Sequence, residues 1–591
     1  MLGDYSAVKL SSDSFPTQKN EIRDSSVPAR DSTGWYSCLN TKLGKAKYWV
    51  VTHPVLSLVL CSSLIAGSIT GAGLIIAYSL TSRAVDKVEP GEVRSFNGSG
   101  NNRLNPDWGA AGGALGRLSA SDCLSLENNG IRPPPRNISN AIGNQLSDTC
   151  IPNTLNLTDM HTLWGQFINH DIDLTPVQSG PDAEKSPISI SPDDGFFSPD
   201  DGFLQPTSST GNTTIPFIRS EFIRSPDGSR QQVNAITSWI DGSMVYGSDK
   251  QFSDNLRTFS DGKMKASNKG LLPSQPENDL YISGDTRSNE NIALTSMHTL
   301  FVREHNRLCA NFADKEPSLS DEEIFQKARN HVIALTQVIT YDEYLPTLLG
   351  DNVIDEYSGY NELIDPSVLN VFSTAAFRFA HSTVSDTLPR LDNDGNEVGP
   401  VIEMKDAIVA PELLSSYGDV GNILKGQSSQ IMEEHDPKMV TSLRNSQRGA
   451  PGAGSSVIDL FSVDVQRGRD HCLPDYNTFR RHYNMEPYES FNDLTSDSEL
   501  AEELTKLYGD IDNLDPWVGI ISEDHLPNSA MGELGSAIII DQFTRLRDGD
   551  RFWYTRTLNE GEIAEIEATT LSDVIKRNTN ISNIQNEAFR G

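Results

Sequence analysis

Gln166 and His170 stand four residues apart, so on a helix they share one face. Their neighbours Leu163, Trp164, Phe167 and Ile168 are apolar. An imidazole and an amide on an otherwise apolar helix suit acid–base work in a dry pocket. Asp171 and Asp173 follow at once, where the helical pattern gives way before Pro176. Their carboxylates are donors for a hard cation. The segment reads as an active-site wall, not as packing.

Four further segments carry chemistry. In Thr237–Ser243, the hydroxyls of Thr237 and Ser243, the Asp241 carboxylate and the Trp239 carbonyl offer oxygens at alternating positions. That spacing suits Ca²⁺, although an ordinary turn has the same look. Arg287 and Glu290 precede a long amphipathic helix and are free to enter a pocket. Within that helix His298 and His305 are seven apart and read as a polar face held by ion pairs. His381 sits in an aromatic run, Ala376–Ser382, where a histidine is either a core residue or, beside a cofactor, a metal ligand. In Val463–Pro474, Asp464 suits orienting an imidazole and Arg467 holding a carboxylate.

The elements that must position these groups are mostly helices. Helical periodicity covers 158–171, 291–313, 321–345, 366–384, 473–484 and 499–508, and strand-like runs are few and short. The expectation is a mainly α, single large domain over residues 92–591, organised around a cofactor. Residues 177–215 form a polar insertion with a seven-residue duplication, whose Asp-Asp-Gly turns read as solvated loop. Cys123 and Cys150 are candidates for a disulfide, whereas Cys309 and Cys472 read as buried thiols.

Ahead of that domain lies a different composition. No Asp, Glu, Lys or Arg occurs between Lys47 and Arg83, a stretch longer than the roughly 20 residues that span a bilayer. The reading is a disordered cytoplasmic tail over 1–48, a transmembrane signal anchor over 49–81 and a short stem over 82–91. Lys42, Lys45 and Lys47 before the anchor, against Arg83 and Lys87 after it, place the N-terminus inside the cell. That makes a single-pass type II membrane protein whose bulk is extracellular or lumenal. Sequons at Asn97, Asn137, Asn156, Asn212 and Asn580 all follow the anchor. A GxxxG pattern, Gly67 to Gly71, is the one hint of a homodimer. The formal charge of −33 excludes a nucleic-acid partner and favours small molecules or cations.

Taken in order, these segments resemble the animal-type haem peroxidases of the peroxidase–cyclooxygenase superfamily, which includes the myeloperoxidases, lactoperoxidases and peroxidasins. The resemblance runs from Val93–Asn102 and Trp108–Gly112 to Arg545–Tyr554. It implies haem b and Ca²⁺ as cofactors, and reduction of H₂O₂ through a ferryl intermediate that then oxidises a small donor. By motif, His170 matches the distal histidine, Gln166 the distal glutamine and Arg287 the distal arginine. His381 matches the proximal iron ligand, with Asp464 as its partner. Asp173, Arg378 and Arg467 match propionate contacts, and Glu290 a glutamate that esterifies the haem. Asp171, Thr237, Trp239, Asp241 and Ser243 match the calcium ligands.

Three departures set the expected donors. Asn169 replaces the aspartate that forms a second ester, Asn291 the methionine special to myeloperoxidase, and Asp464 the usual asparagine beside the proximal histidine. All three favour iodide, bromide, thiocyanate or phenols over chloride. A fatty-acid dioxygenase is the alternative enzyme on such a fold. Cyclooxygenases have a tyrosine three residues before the proximal histidine, where this chain has Arg378. A peroxidase-like adhesion module without catalysis is the other alternative, and it has no use for His170, Arg287 and His381 together.

Overall fold

The computed structural model describes residues 87–119, 131–145, 150–196, 214–226, 228–416, 419–448 and 456–591. The expected tail and membrane anchor lie outside the described residues. Among those described, no helix is long and apolar enough to cross a membrane.

Helices dominate. We label six: α1 (Asp159–Ile172), α2 (Ile292–Lys315), α3 (Asp321–Val338), α4 (Val420–Ser429), α5 (Leu460–Asp470) and α6 (Glu533–Asp548). Their starts follow from local side chains. The Asn291 side chain accepts from Leu294 N–H to cap α2, and Asp459 accepts from Ser462 N–H to cap α5. Ser320 and Glu323 form a reciprocal capping box on α3. Helix α1 ends at Ile172, and Asp173 is already extended, so the chain turns away just after the Asp171 carboxylate.

Strands are short. A three-stranded antiparallel sheet has the order β1 (Gly113–Ala114), β3 (Arg230–Asn234), β2 (Phe222–Arg224), and the other ribbons are two-stranded pairs. Lys87–Gly591 forms one compact unit around a continuous core that runs from Phe96 to Phe589. Helix α1 packs on α2 and α4, and α2 packs in turn on α3 and α4. A Cβ on Gly426 of α4 would sit 1.9 Å from the Pro389 carbonyl oxygen, so only glycine permits that approach.

Several expectations need correction. The run 366–384 is not one helix: Asn370–Thr374 is α-helical, Ala375 breaks it, and Ala376–His381 is a 3₁₀ turn. The Phe372 and Phe377 rings stack across that break at 4.6 Å, so tertiary packing overrides the periodic pattern. Helix α3 runs on into a π-helical turn, Ile339–Tyr344, of a kind often found near functional sites. His298 and His305 are fully buried and bonded to neutral groups, Ser283 and Met244 O for one, Tyr246 and Gly262 O for the other. Their face of α2 looks inward rather than forming an ion-paired surface. In the duplicated insertion Asp194 is buried against Arg136, so that first turn is anchored, not solvated. The proposed Cys123–Cys150 bridge is not formed. Cys150 is a free, exposed thiol on a segment held beside Glu433, while Cys472 is disulfide-bonded. Sequence proximity constrains cysteine connectivity poorly.

Candidate active site

Helix α1 presents Asp159, Thr162, Leu163, Gln166 and His170 along one stripe, at the spacing of successive turns. Gln166 and His381 line the same cavity, of about 50 Å³. The histidine- and glutamine-bearing face of α1 therefore meets the 3₁₀ turn that carries His381.

His170 is fully buried between two carboxylates. Its Nδ1 lies 3.7 Å from Asp285 and its Nε2 3.6 Å from Glu290. Burial first, and then the charge of Arg287, pushes the imidazole down to about 4, so it is a neutral base at physiological pH. Gln166 donates to Glu290 at 2.8 Å and accepts from Asn291 at 3.1 Å, which fixes its amide orientation. Arg287 sits on the 3₁₀ turn Thr286–Asn289 and forms a two-pronged pair with Asp285, at 2.9 and 2.8 Å. Burial raises the Asp285 carboxyl, but the Arg287 and His170 charges and the hydrogen bonds from Arg287 together outweigh it and hold the group down at about 2. Asp285 was missed in the sequence. Its signal was available, since Asp285 to Arg287 is the spacing of a carboxylate capping its own turn.

On the other side, His381 Nδ1 bonds Asp464 at 2.5 Å, and the second Asp464 oxygen accepts from Arg378 at 2.8 Å. Asp464 thus bridges the imidazole and a guanidinium. With Nδ1 engaged, Nε2 is the nitrogen left for a metal. Asp173 bonds Ser373, and its other oxygen has no partner among the described residues. Arg467 turns to the Ile218 carbonyl, Ser220 and Asp470, and lies over the Phe217 ring. Neither it nor His170, Arg287, Glu290, Asp173 or Arg378 is among the residues that line the cavity itself.

Directly after His170, the Asp171 carboxylate receives backbone N–H groups of Asp241 and Gly242 at 3.1 Å each. Thr237 donates to Asp241, and Ser243 donates to the Asp171 carbonyl. One oxygen of Asp241 is buried with no partner. Burial, then the Asp241 charge, pushes Asp171 up to about 8, and burial pushes Asp241 to about 6. Two buried carboxylates, one with an orphaned oxygen, beside the Thr237 and Ser243 hydroxyls are donors of the kind a hard dication takes. Among the described residues no group of three or more His, Cys, Asp or Glu is placed to hold a metal ion, and this cradle relies on neutral oxygens for the remainder.

Residues 93–589 match the family described as "Animal haem peroxidase". The chain belongs to the animal haem peroxidase family. It is 36% identical over 531 residues to peroxinectin A of Dictyostelium discoideum, covering 84% of this chain and 96% of that protein. It is 32% identical to lactoperoxidase of Mesocricetus auratus, covering 84% and 77% respectively. Among solved structures, peroxidase A from Dictyostelium discoideum superimposes with a TM-score of 0.76 at 35% identity, over 85% of this chain and all of that one. An Arabidopsis thaliana fatty acid alpha-dioxygenase shares the fold at a TM-score of 0.68 and 22% identity, over 86% of each chain. This haem peroxidase is accordingly an oxidoreductase. The cavity between α1 and the His381 turn fits the prosthetic group of its family. It offers one imidazole whose other nitrogen is anchored, faced by an amide that is held in place.

Proposed function

We propose that this haem peroxidase reduces H₂O₂ at the side of the cavity carrying His170 and Gln166, and oxidises iodide, bromide, thiocyanate or phenols in preference to chloride. Haem would be held through His381 on one side and would supply the two-electron reduction of peroxide and the oxidation of the donor. The protein's own residues supply the proton work. Neutral His170 takes a proton from the near oxygen of H₂O₂ and returns it to the departing one. Arg287, clamped by Asp285, keeps positive charge beside that transfer. Gln166 orients peroxide or donor through an amide held by Glu290 and Asn291. The observation that carries this reading is a buried neutral His170, one turn beyond the cavity-lining Gln166 on α1, together with a carboxylate-anchored His381 in that cavity.

Preference against chloride rests on three groups. Asn169 lacks the carboxylate for a second ester, leaving Glu290 for at most one link. Asn291 holds Gln166 in place of a sulfur. The Asp464 carboxylate makes the His381 imidazole a stronger donor to iron, an effect that Arg378 partly offsets by sharing the same carboxylate. The cradle of Asp171, Thr237, Trp239, Asp241 and Ser243 is proposed to bind Ca²⁺ and to brace α1. The proposal also includes the type II membrane anchor. Sequons Asn97, Asn137, Asn156 and Asn580 are exposed, as glycosylation outside the cell requires. Turnover of H₂O₂ by the purified haem-loaded chain, with each halide, thiocyanate and a phenol, tests the reading. Rapid chlorination would overturn the donor order. Oxygen uptake on a fatty acid without peroxide turnover would replace the peroxidase with the dioxygenase whose fold it shares.

A further inference from the structure

A second cavity, a groove of about 780 Å³, shares no lining residue with the one that holds Gln166 and His381. Three segments supply most of its wall, 434–438, 495–503 and 521–525. Each brings carboxylates. Glu434 and Asp436 come from the first, Asp497, Glu499 and Glu503 from the second, and Glu523 and Asp524 from the third. Among the described residues Lys438 is the one Lys or Arg in the lining, and its ammonium donates to the Ile142 carbonyl at 2.9 Å. Burial pushes Asp436 and Glu523 up to about 7, and the other five stand nearer to solvent.

Carboxylates in an open groove are content with water. Two groups in the same lining are not. His435 is 2% exposed, and its Nδ1 donates to the Ala530 carbonyl at 2.7 Å, so Nε2 carries a bare lone pair. That nitrogen is buried without a partner. Burial pushes the imidazole down to about 3, so it stays a neutral acceptor at physiological pH. Its ring is held in place, stacked at 5.3 Å on His525, which also lines the groove and donates to the His435 carbonyl. The Ser522 hydroxyl, 4% exposed as a residue and in the same lining, likewise has no partner. Buried acceptors left bare are costly until an N–H or O–H reaches them.

The missing occupant must therefore bring hydrogen-bond donors and positive charge together. A metal ion does not answer, since among the described residues no three His, Cys, Asp or Glu are grouped to hold one. A single ammonium meets one segment, whereas the carboxylates come from three. We infer that this groove binds a linear polyamine, whose N–H groups donate to His435 Nε2 and Ser522 Oγ while its other ammonium groups meet the carboxylates of the rim. The formal charge of −33 draws such polycations from solution. None of these groups takes part in the peroxide chemistry proposed above, so the site stands whether or not that reading does.

Hexamethylenediamine and hexamethonium test this, because they share a chain length and two positive charges but only the diamine has N–H donors. Titration calorimetry on the full haem-loaded chain, at about 0.15 M salt to screen diffuse attraction, measures both, with spermine as the longer probe. Spermine and the diamine should saturate, and hexamethonium should bind roughly tenfold more weakly or worse. Ser522→Ala deletes a hydroxyl that has no partner in the fold, so its thermal midpoint should hold while the diamine loses affinity by roughly threefold or more. Glu499→Gln with Glu503→Gln should weaken spermine more than the diamine. Equal binding of diamine and hexamethonium would reduce the groove to diffuse charge and overturn the inference. So would heats that do not saturate, or a diamine affinity that Ser522→Ala leaves unchanged.

Discussion

Two carboxylates control the two key imidazole neighbourhoods, one through a guanidinium and one directly. Asp285 clamps Arg287 beside His170. Asp285→Ala removes both prongs, and peroxide reduction should slow by roughly 100-fold while haem still binds. Stopped-flow mixing with H₂O₂ measures this, and an unchanged rate would refute the role of the clamp. Asp464 divides its charge between His381 and Arg378. Asp464→Asn should raise the reduction potential of the loaded protein and shift donor preference towards harder halides by roughly 10–100-fold. Spectroelectrochemical titration reads the first effect and halide competition the second.

At the level of elements, α1 is the part on which the site depends. Its C-terminal end enters the Asp171–Asp241 cradle and its middle packs on the π-helical turn. A Cβ at Gly165 would lie 2.8 Å from the buried Tyr344 hydroxyl. Gly165→Ala should therefore cost about 1–3 kcal/mol in stability, despite alanine's better helix propensity, because the overpacked contact outweighs it. Denaturant unfolding would show this, and a stabilised variant would refute it. Chelation of Ca²⁺ should loosen the same helix from its other end. The expected result is loss of peroxidase activity together with a lower thermal midpoint, both restored by adding Ca²⁺. A Soret spectrum and rate that survive chelation would remove calcium from the account.

Across the whole molecule, buried carboxyls set the pH dependence of stability. Burial pushes Asp159, Glu343, Asp436 and Glu523 each up to about 7. Groups with folded pKa values above the unfolded ones bind more protons when folded, so their stabilisation is present at low pH and fades as pH rises towards 7. Asp285, held at about 2, acts in the opposite sense and loses its contribution only as pH falls through the range from about 4 to 2. Thermal midpoints should therefore peak near pH 5 and decline to about pH 7.5. A midpoint that rises steadily over that interval would contradict the assignment of these buried groups.

What the chain alone determined was local. The stripe of Gln166 and His170, the end of α1 before Pro176, the caps of α2 and α3 and the paucity of strands follow from spacing and nearest neighbours. Tertiary structure decided what no window of sequence contains. It broke the 366–384 run at Ala375, because Phe372 stacks on Phe377. It turned His298 and His305 inward and drew Arg467 to Asp470. It shared Asp464 between residues 83 and 86 positions away, and completed one cavity from Asp159, Gln427 and His381. Periodicity reports which face of an element is apolar. Which distant polar group answers a buried charge is settled only when the faces meet and water is gone.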